Sequence, residues 1–69
     1  MVSEFQKNFK LIRKTLGWSQ GKTAKELGFQ PAAISHFETG QREPALKNLI
    51  KICKGFRISP NILLGWNDD

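Results

Sequence analysis

Apolar residues recur along this chain at steps of three and four, and strand-like alternation is absent. That spacing is the signature of helices with one buried face. It predicts five helices and no sheet, over about residues 4–16, 20–27, 31–39, 44–54 and 60–64. In the first, Phe5, Phe9, Ile12 and Leu16 share a face. Ser3 is placed to cap it, Glu4 suits its positive end, and Gly17 follows where a left-handed residue is wanted. The second has Ser19 as cap, Thr23, Ala24 and Leu27 on its inner side, and Gly28 as its stop. The third opens on Pro31, whose missing N–H is no loss in a first turn. Gln30 stands at its cap position, Ile34 and Phe37 point inward, and Gly40 ends it. The fourth is expected to open on Pro44 and to bury Leu46, Leu49, Ile50 and Cys53, continued by Phe56. The fifth takes Ser59 as cap, Pro60 in its first turn and Gly65 as stop.

The junction of the second and third helices carries the most information. Two short helices joined by Gly28-Phe29-Gln30 give the pattern of a helix-turn-helix. Ala24 is small enough for the two axes to approach, Gly28 permits the sharp turn, and Ile34 and Phe37 fix the third helix from behind. Such a unit holds one face of its second helix outward, and a B-form major groove admits one α-helix.

Composition narrows the classes. At 69 residues the chain falls below the size at which one core is comfortably stable, ~70–80 residues. A single cysteine, Cys53, excludes an intramolecular disulfide, and burial as a small core residue is its expected role. One cysteine and one histidine, His36, cannot build a four-ligand zinc site. Eleven Lys and Arg against six Asp and Glu give +5, although Asp68 and Asp69 are two of the six acids. An anionic partner, nucleic acid or a membrane surface, fits that balance, as does plain solubility. No leader pattern is visible, and the longest apolar run is Ile62-Leu63-Leu64. With the lone cysteine, this gives the expectation of a soluble cytoplasmic protein without a membrane partner. No paired acids or nucleophile–base set is apparent, and a cleft of ~300 Å³ is not expected in so small a fold. Neither catalysis, a cofactor nor a metal is therefore expected.

The run Leu16-Gly17-Trp18-Ser19-Gln20, followed by Ala24, Leu27, Gly28, Ile34-Ser35, Phe37-Glu38, Gly40, Arg42, Pro44 and Leu49, resembles the lambda-repressor-like Xre/Cro family of helix-turn-helix domains. The closing Ile58-Ser59 and Leu63-Leu64-Gly65 are similar to that family's fifth helix. The resemblance implies an all-α, five-helix domain that binds double-stranded operator DNA, usually as a homodimer. It places base contacts at Pro31, Ala32, Ser35 and His36. Proline and alanine depart from the commoner polar residues there and offer only apolar contact, suited to thymine methyl groups. It places phosphate contacts at Ser19 and Gln20, where backbone N–H groups add an anion site, and at Lys22, Lys25, Thr39, Gln41, Arg42 and Lys47. Arg13 and Glu38 match an ion pair between the first and third helices. Trp18 fills a core position ahead of the second helix. Trp66 either packs back on its own domain or joins Arg57 and Ile58 as a dimer contact. Arg57 stands at a helix end where relatives often have glycine. The implied function is transcription regulation, most simply repression at a palindromic operator. The alternative is an antitoxin that binds both DNA and a toxin partner.

Overall fold

The structure, a computed structural model, describes residues 4–66. Five helices follow one another: α1 (Glu4–Thr15), α2 (Gln20–Leu27), α3 (Pro31–Thr39), α4 (Leu46–Phe56) and α5 (Pro60–Leu64). There is no strand among the described residues. The expected all-α, five-helix class holds. The suggested Ser3 cap lies outside the described residues.

Phenylalanines organise the core. Phe9 stacks at 5.7–5.8 Å on Phe5 and Phe37, and at 5.2 Å on Phe56, which joins α1, α3 and α4 around one ring. Phe29, from the turn between α2 and α3, meets Phe37 edge-on at 5.5 Å. Each such pair adds roughly 0.5–1.5 kcal/mol beyond the area it buries. Ile34, Ile52 and Leu63 are fully buried beside Phe9 and Phe37. α1 rests on α3 and α5, α2 on α3 and α4, and α4 on α5. Asn8 pins α1 to the last helix by donating to the carbonyls of Ile62 and Leu63.

Four readings of the sequence are corrected. α4 begins at Leu46 with Ala45 as its cap, so Pro44 precedes the helix instead of opening it. Its buried stripe is Ile52, Cys53 and Phe56, with Leu49 half-buried; Leu46 and Ile50 face outward at 73% and 45% exposure. The face is therefore rotated from the one expected, and Ile52 is its centre. Leu16 lies just past α1 and is exposed rather than buried. Ser59 stands at the cap of α5, but its side chain makes no capping hydrogen bond.

Gly55 lies inside α4, which runs past Lys54 to Phe56. A Cβ at that position would lie 2.1 Å from Leu27 Cδ2, so the missing side chain lets α2 and α4 close on each other. Arg57 then ends the helix in the left-handed conformation, at φ 61°, with its N–H returned to the carbonyls of Cys53 and Lys54. For a residue with a Cβ that conformation costs about 1–2 kcal/mol.

Candidate nucleic-acid interface

The α2–turn–α3 unit is fixed at both ends and in the middle. Ser19 adopts extended backbone and its Oγ accepts the Lys22 N–H at 3.0 Å, capping α2. Thr23, fully buried one turn later, returns its hydroxyl to the Ser19 carbonyl at 2.8 Å. Gly28 turns the chain in the left-handed region, and the N–H groups of Gly28 and Phe29 both donate to the Ala24 carbonyl. Lys51, from α4, donates to the Gly28 carbonyl at 2.7 Å and lies 4.6 Å from the centre of the Phe29 ring. The sequence reading missed this clamp. No local signal marks it, because its partners are 22 and 23 residues away and become neighbours only when α4 packs on α2.

α3 is held from behind by Ile34 and Phe37, at 0% and 1% exposure. Its outer side presents Pro31 and Ala32, both exposed, then half-buried Ser35 and His36, then exposed Thr39. Thr39 donates its hydroxyl to the Ser35 carbonyl at 3.0 Å, so the last turn is closed by its own side chain. The base-contact positions implied by resemblance thus occupy one helix, but only Ser35 and His36 among them carry polar side-chain groups.

A buried polar chain links α1, α2 and α3. Arg13 grips the Glu38 carboxylate with two groups, Nε to Oε2 and Nη2 to Oε1, the latter at 3.1 Å. Its Nη1 donates to the Trp18 carbonyl at 2.8 Å, just before the α2 cap. Gln20, the first residue of α2, donates its amide to Glu38 Oε1 at 3.2 Å. Gln6 donates to the Glu38 backbone carbonyl at 3.2 Å. The Arg13 and Glu38 side chains are only 11% and 4% exposed. The start of α2 is therefore positioned against the end of α3 by one carboxylate. The Gln20 amide carries two hydrogens, and one of them is donated to that carboxylate.

The remaining candidates are scattered around this unit. Lys22 is shared between Glu26, at 3.8 Å, and the Trp18 ring, at 5.7 Å. Gln41 and Arg42 are exposed in the loop after α3, where the Arg42 N–H donates to the His36 carbonyl at 3.3 Å. Lys25 and Lys47 are exposed on α2 and α4, and nothing among the described residues ties them to α3. Trp18 is half-buried against Phe56, at 5.9 Å, rather than enclosed. Trp66 stands 67% exposed and so does not pack back on its own domain. Arg57 is exposed, whereas Ile58 is half-buried on the core. Cys53 is buried, and desolvation raises its thiol above the usual range. No group of three metal-ligating side chains occurs among the described residues. The expectation of no sizeable concavity is corrected: an open groove of about 480 Å³ runs along α1, lined by lysine stems and Leu11.

Comparison with known proteins agrees with this geometry. The helix-turn-helix (HTH_3) family matches residues 9–63. Antitoxin HipB of Escherichia coli strain K12 is 36% identical over 50 residues, covering 72% of this chain and 57% of HipB. The cryptic phage CTXphi transcriptional repressor RstR of Vibrio cholerae is 33% identical over 58 residues, covering 83% of this chain and 52% of RstR. The chain thus spans little more than half the length of these curated relatives. Among solved structures, the restriction-modification controller protein C.AhdI of Aeromonas hydrophila superposes with a TM-score of 0.81 at 28% identity, covering 87% of this chain and 91% of C.AhdI. An HTH_3 family transcriptional regulator from Vibrio cholerae superposes at 0.84 and 28% identity, covering 91% of this chain and 35% of that one. These relatives are regulators and antitoxins rather than enzymes. With its α2–turn–α3 unit built on the Arg13–Glu38–Gln20 chain, this protein belongs to the Xre/lambda-repressor-like helix-turn-helix family.

Proposed function

We propose that this protein is a sequence-reading regulator of transcription that binds double-stranded DNA with α3 in the major groove. The observation that carries the reading is the outward face of α3, fixed from behind by Ile34 and Phe37 and at its end by Glu38. Ser35 and His36 supply polar contacts to bases, and Pro31 and Ala32 supply apolar ones. Ser19, Gln20 and the α2 N-terminus, with Lys22, Lys25, Thr39, Gln41, Arg42 and Lys47, meet phosphates and set the register. The net charge of +5 favours that backbone.

Two copies bind a palindromic operator, with half-sites about one helical turn apart, and repress by occupying a promoter in the cytoplasm. Support for the dimer comes from apolar side chains left outside the core at the C-terminal end. Ile62 and Trp66, one helical turn apart in sequence, are 57% and 67% exposed. Arg57 adds a charged rim, and Ile58 backs the surface from the core side. The test is selection of bound duplexes from a random pool at low and physiological salt. An enriched palindrome with half-sites about ten base pairs apart supports the reading. Binding that yields no motif and disappears with salt overturns it. A second reading, an antitoxin with a toxin partner, is favoured by the similarity to HipB and predicts a stable complex with the product of an adjacent gene.

A further inference from the structure

The solvent face of α1 carries a basic stripe that borders a groove. Lys7, Lys10 and Lys14 follow one another at steps of three and four, with Leu11 among them at 62% exposure. Along the helix they span about 10 Å, roughly two turns. Together with Gln6 and Glu38 they line the groove of about 480 Å³. The one carboxylate in that lining does not oppose an anionic occupant, because Glu38 is buried and gripped by Arg13. Among the described residues Lys7 has only an exposed contact with Glu4 at 3.5 Å, which a stronger acidic partner displaces.

The geometry points to a docking site for an acidic amphipathic helix of a partner protein, with Leu11 and the lysine stems as its apolar floor and the three ammonium groups as its rim. A helix with acids at i, i+3 and i+7 repeats the lysine spacing, and an apolar residue between them meets Leu11. Phosphates need charge alone; a concave apolar floor beneath a cationic rim suits a side chain with carbon to bury. The position also separates the site from the proposed operator surface. α1 turns its Arg13 and Gln6 edge to α3 and its Asn8 edge to α5; the groove borders α3 through Gln6 and Glu38, and none of Pro31, Ala32, Ser35 and His36 lines it. Docking there uses none of the outward residues of α3, nor Ile62 and Trp66. The inference does not rest on the DNA reading, and each can fail alone.

The experiment is a nuclear magnetic resonance titration of the ¹⁵N-labelled full chain with an end-capped synthetic peptide of glutamate and leucine in that helical pattern. A scrambled peptide of the same composition is the control. Shifts are expected to concentrate on residues 6–14, with weaker binding of the scramble. Leu11→Ser is expected to weaken binding by about fivefold. The Lys10→Gln, Lys14→Gln double variant is expected to weaken it by about tenfold. All three positions are exposed, so circular dichroism should show an unchanged fold. Equal binding of the scramble, or shifts spread over Lys22, Lys25 and Lys47, overturns the site as mere charge attraction. A parallel titration with duplex DNA supplies another refutation. If the lysine double variant lowers its salt slope by about two, the face belongs to the DNA backbone.

Discussion

Replacing Glu38 by alanine tests the polar chain at its centre. In the folded protein the carboxylate receives two bonds from Arg13 and one from Gln20, at 4% side-chain exposure. Removal leaves the Arg13 guanidinium, 11% exposed, with the Trp18 carbonyl as its hydrogen-bond partner and no counter-charge. Breaking a buried pair from one side costs about 3–5 kcal/mol, where an exposed pair is worth about 0–1. A chain of 69 residues has roughly 3–10 kcal/mol of total stability at typical values per residue. Glu38→Ala should therefore bring the protein near the unfolding threshold. Glu38→Gln keeps the shape and one acceptor but also leaves Arg13 without a counter-charge and turns an NH2 toward an N–H donor, so it should recover only part of that loss. Urea denaturation followed by far-ultraviolet circular dichroism reads both, at unchanged slope with denaturant. The double variant Arg13→Met, Glu38→Leu removes both charges together and should be more stable than Glu38→Ala. A loss under about 1 kcal/mol for Glu38→Ala would refute the reasoning, because the pair would then behave as a solvated one.

Four other outcomes are expected. Gly55→Ala should destabilise by about 1 kcal/mol in thermal melts; overpacking against Leu27 at 2.1 Å exceeds the ~1 kcal/mol gained in helix propensity, and a raised midpoint would contradict the close approach. Arg57→Gly should stabilise by roughly 1 kcal/mol, since glycine relieves the left-handed backbone at φ 61°. Burial raises the Cys53 thiol above its ordinary 9.0, so the folded state holds this proton more tightly than the unfolded state. The stability it contributes is complete below that ordinary value and declines as pH rises beyond it, and Cys53→Ala should flatten this alkaline loss in pH-dependent denaturation. Under the proposed DNA reading, Arg42→Ala should weaken all duplexes alike and lower the salt slope by about one, whereas Ser35→Ala should relax preference at one position per half-site; the reverse pattern would exchange their roles.

Much of the fold was legible because the chain punctuates it. Ser19, Gly28, Pro31, Gly40, Pro60 and Gly65 mark helix ends by their own backbone chemistry, and those ends lie where local rules put them. α4 was harder for a tertiary reason. Gly55 matters through what Leu27 occupies, a contact between α2 and α4 that no local pattern encodes. The same packing decides which side of α4 turns inward, so local spacing points to Leu46 and Ile50 where the structure buries Ile52. The candidate site divides likewise. Family resemblance singled out Arg13, Gln20 and Glu38, whose bonds appear in the structure, but Lys51 and Gln6 join the unit only through long-range contacts.

The proposed interface also raises a question of how so plain a helix reads a sequence. Pro31 and Ala32 offer no hydrogen bonds from their side chains, and Ser35 and His36 are half-buried, which limits their reach. Direct contacts to bases, worth about 1–3 kcal/mol for each good bidentate pair, are correspondingly few. What they do not supply must come from the cost of fitting each duplex to the protein's shape. Such discrimination needs a protein stiffer than the DNA it deforms. The Lys51 clamp on Gly28 and the carboxylate shared by Arg13 and Gln20 remove freedom between α2 and α3. In this reading those residues contribute to specificity without touching a base, because a turn that could yield would accept many sequences at similar energy.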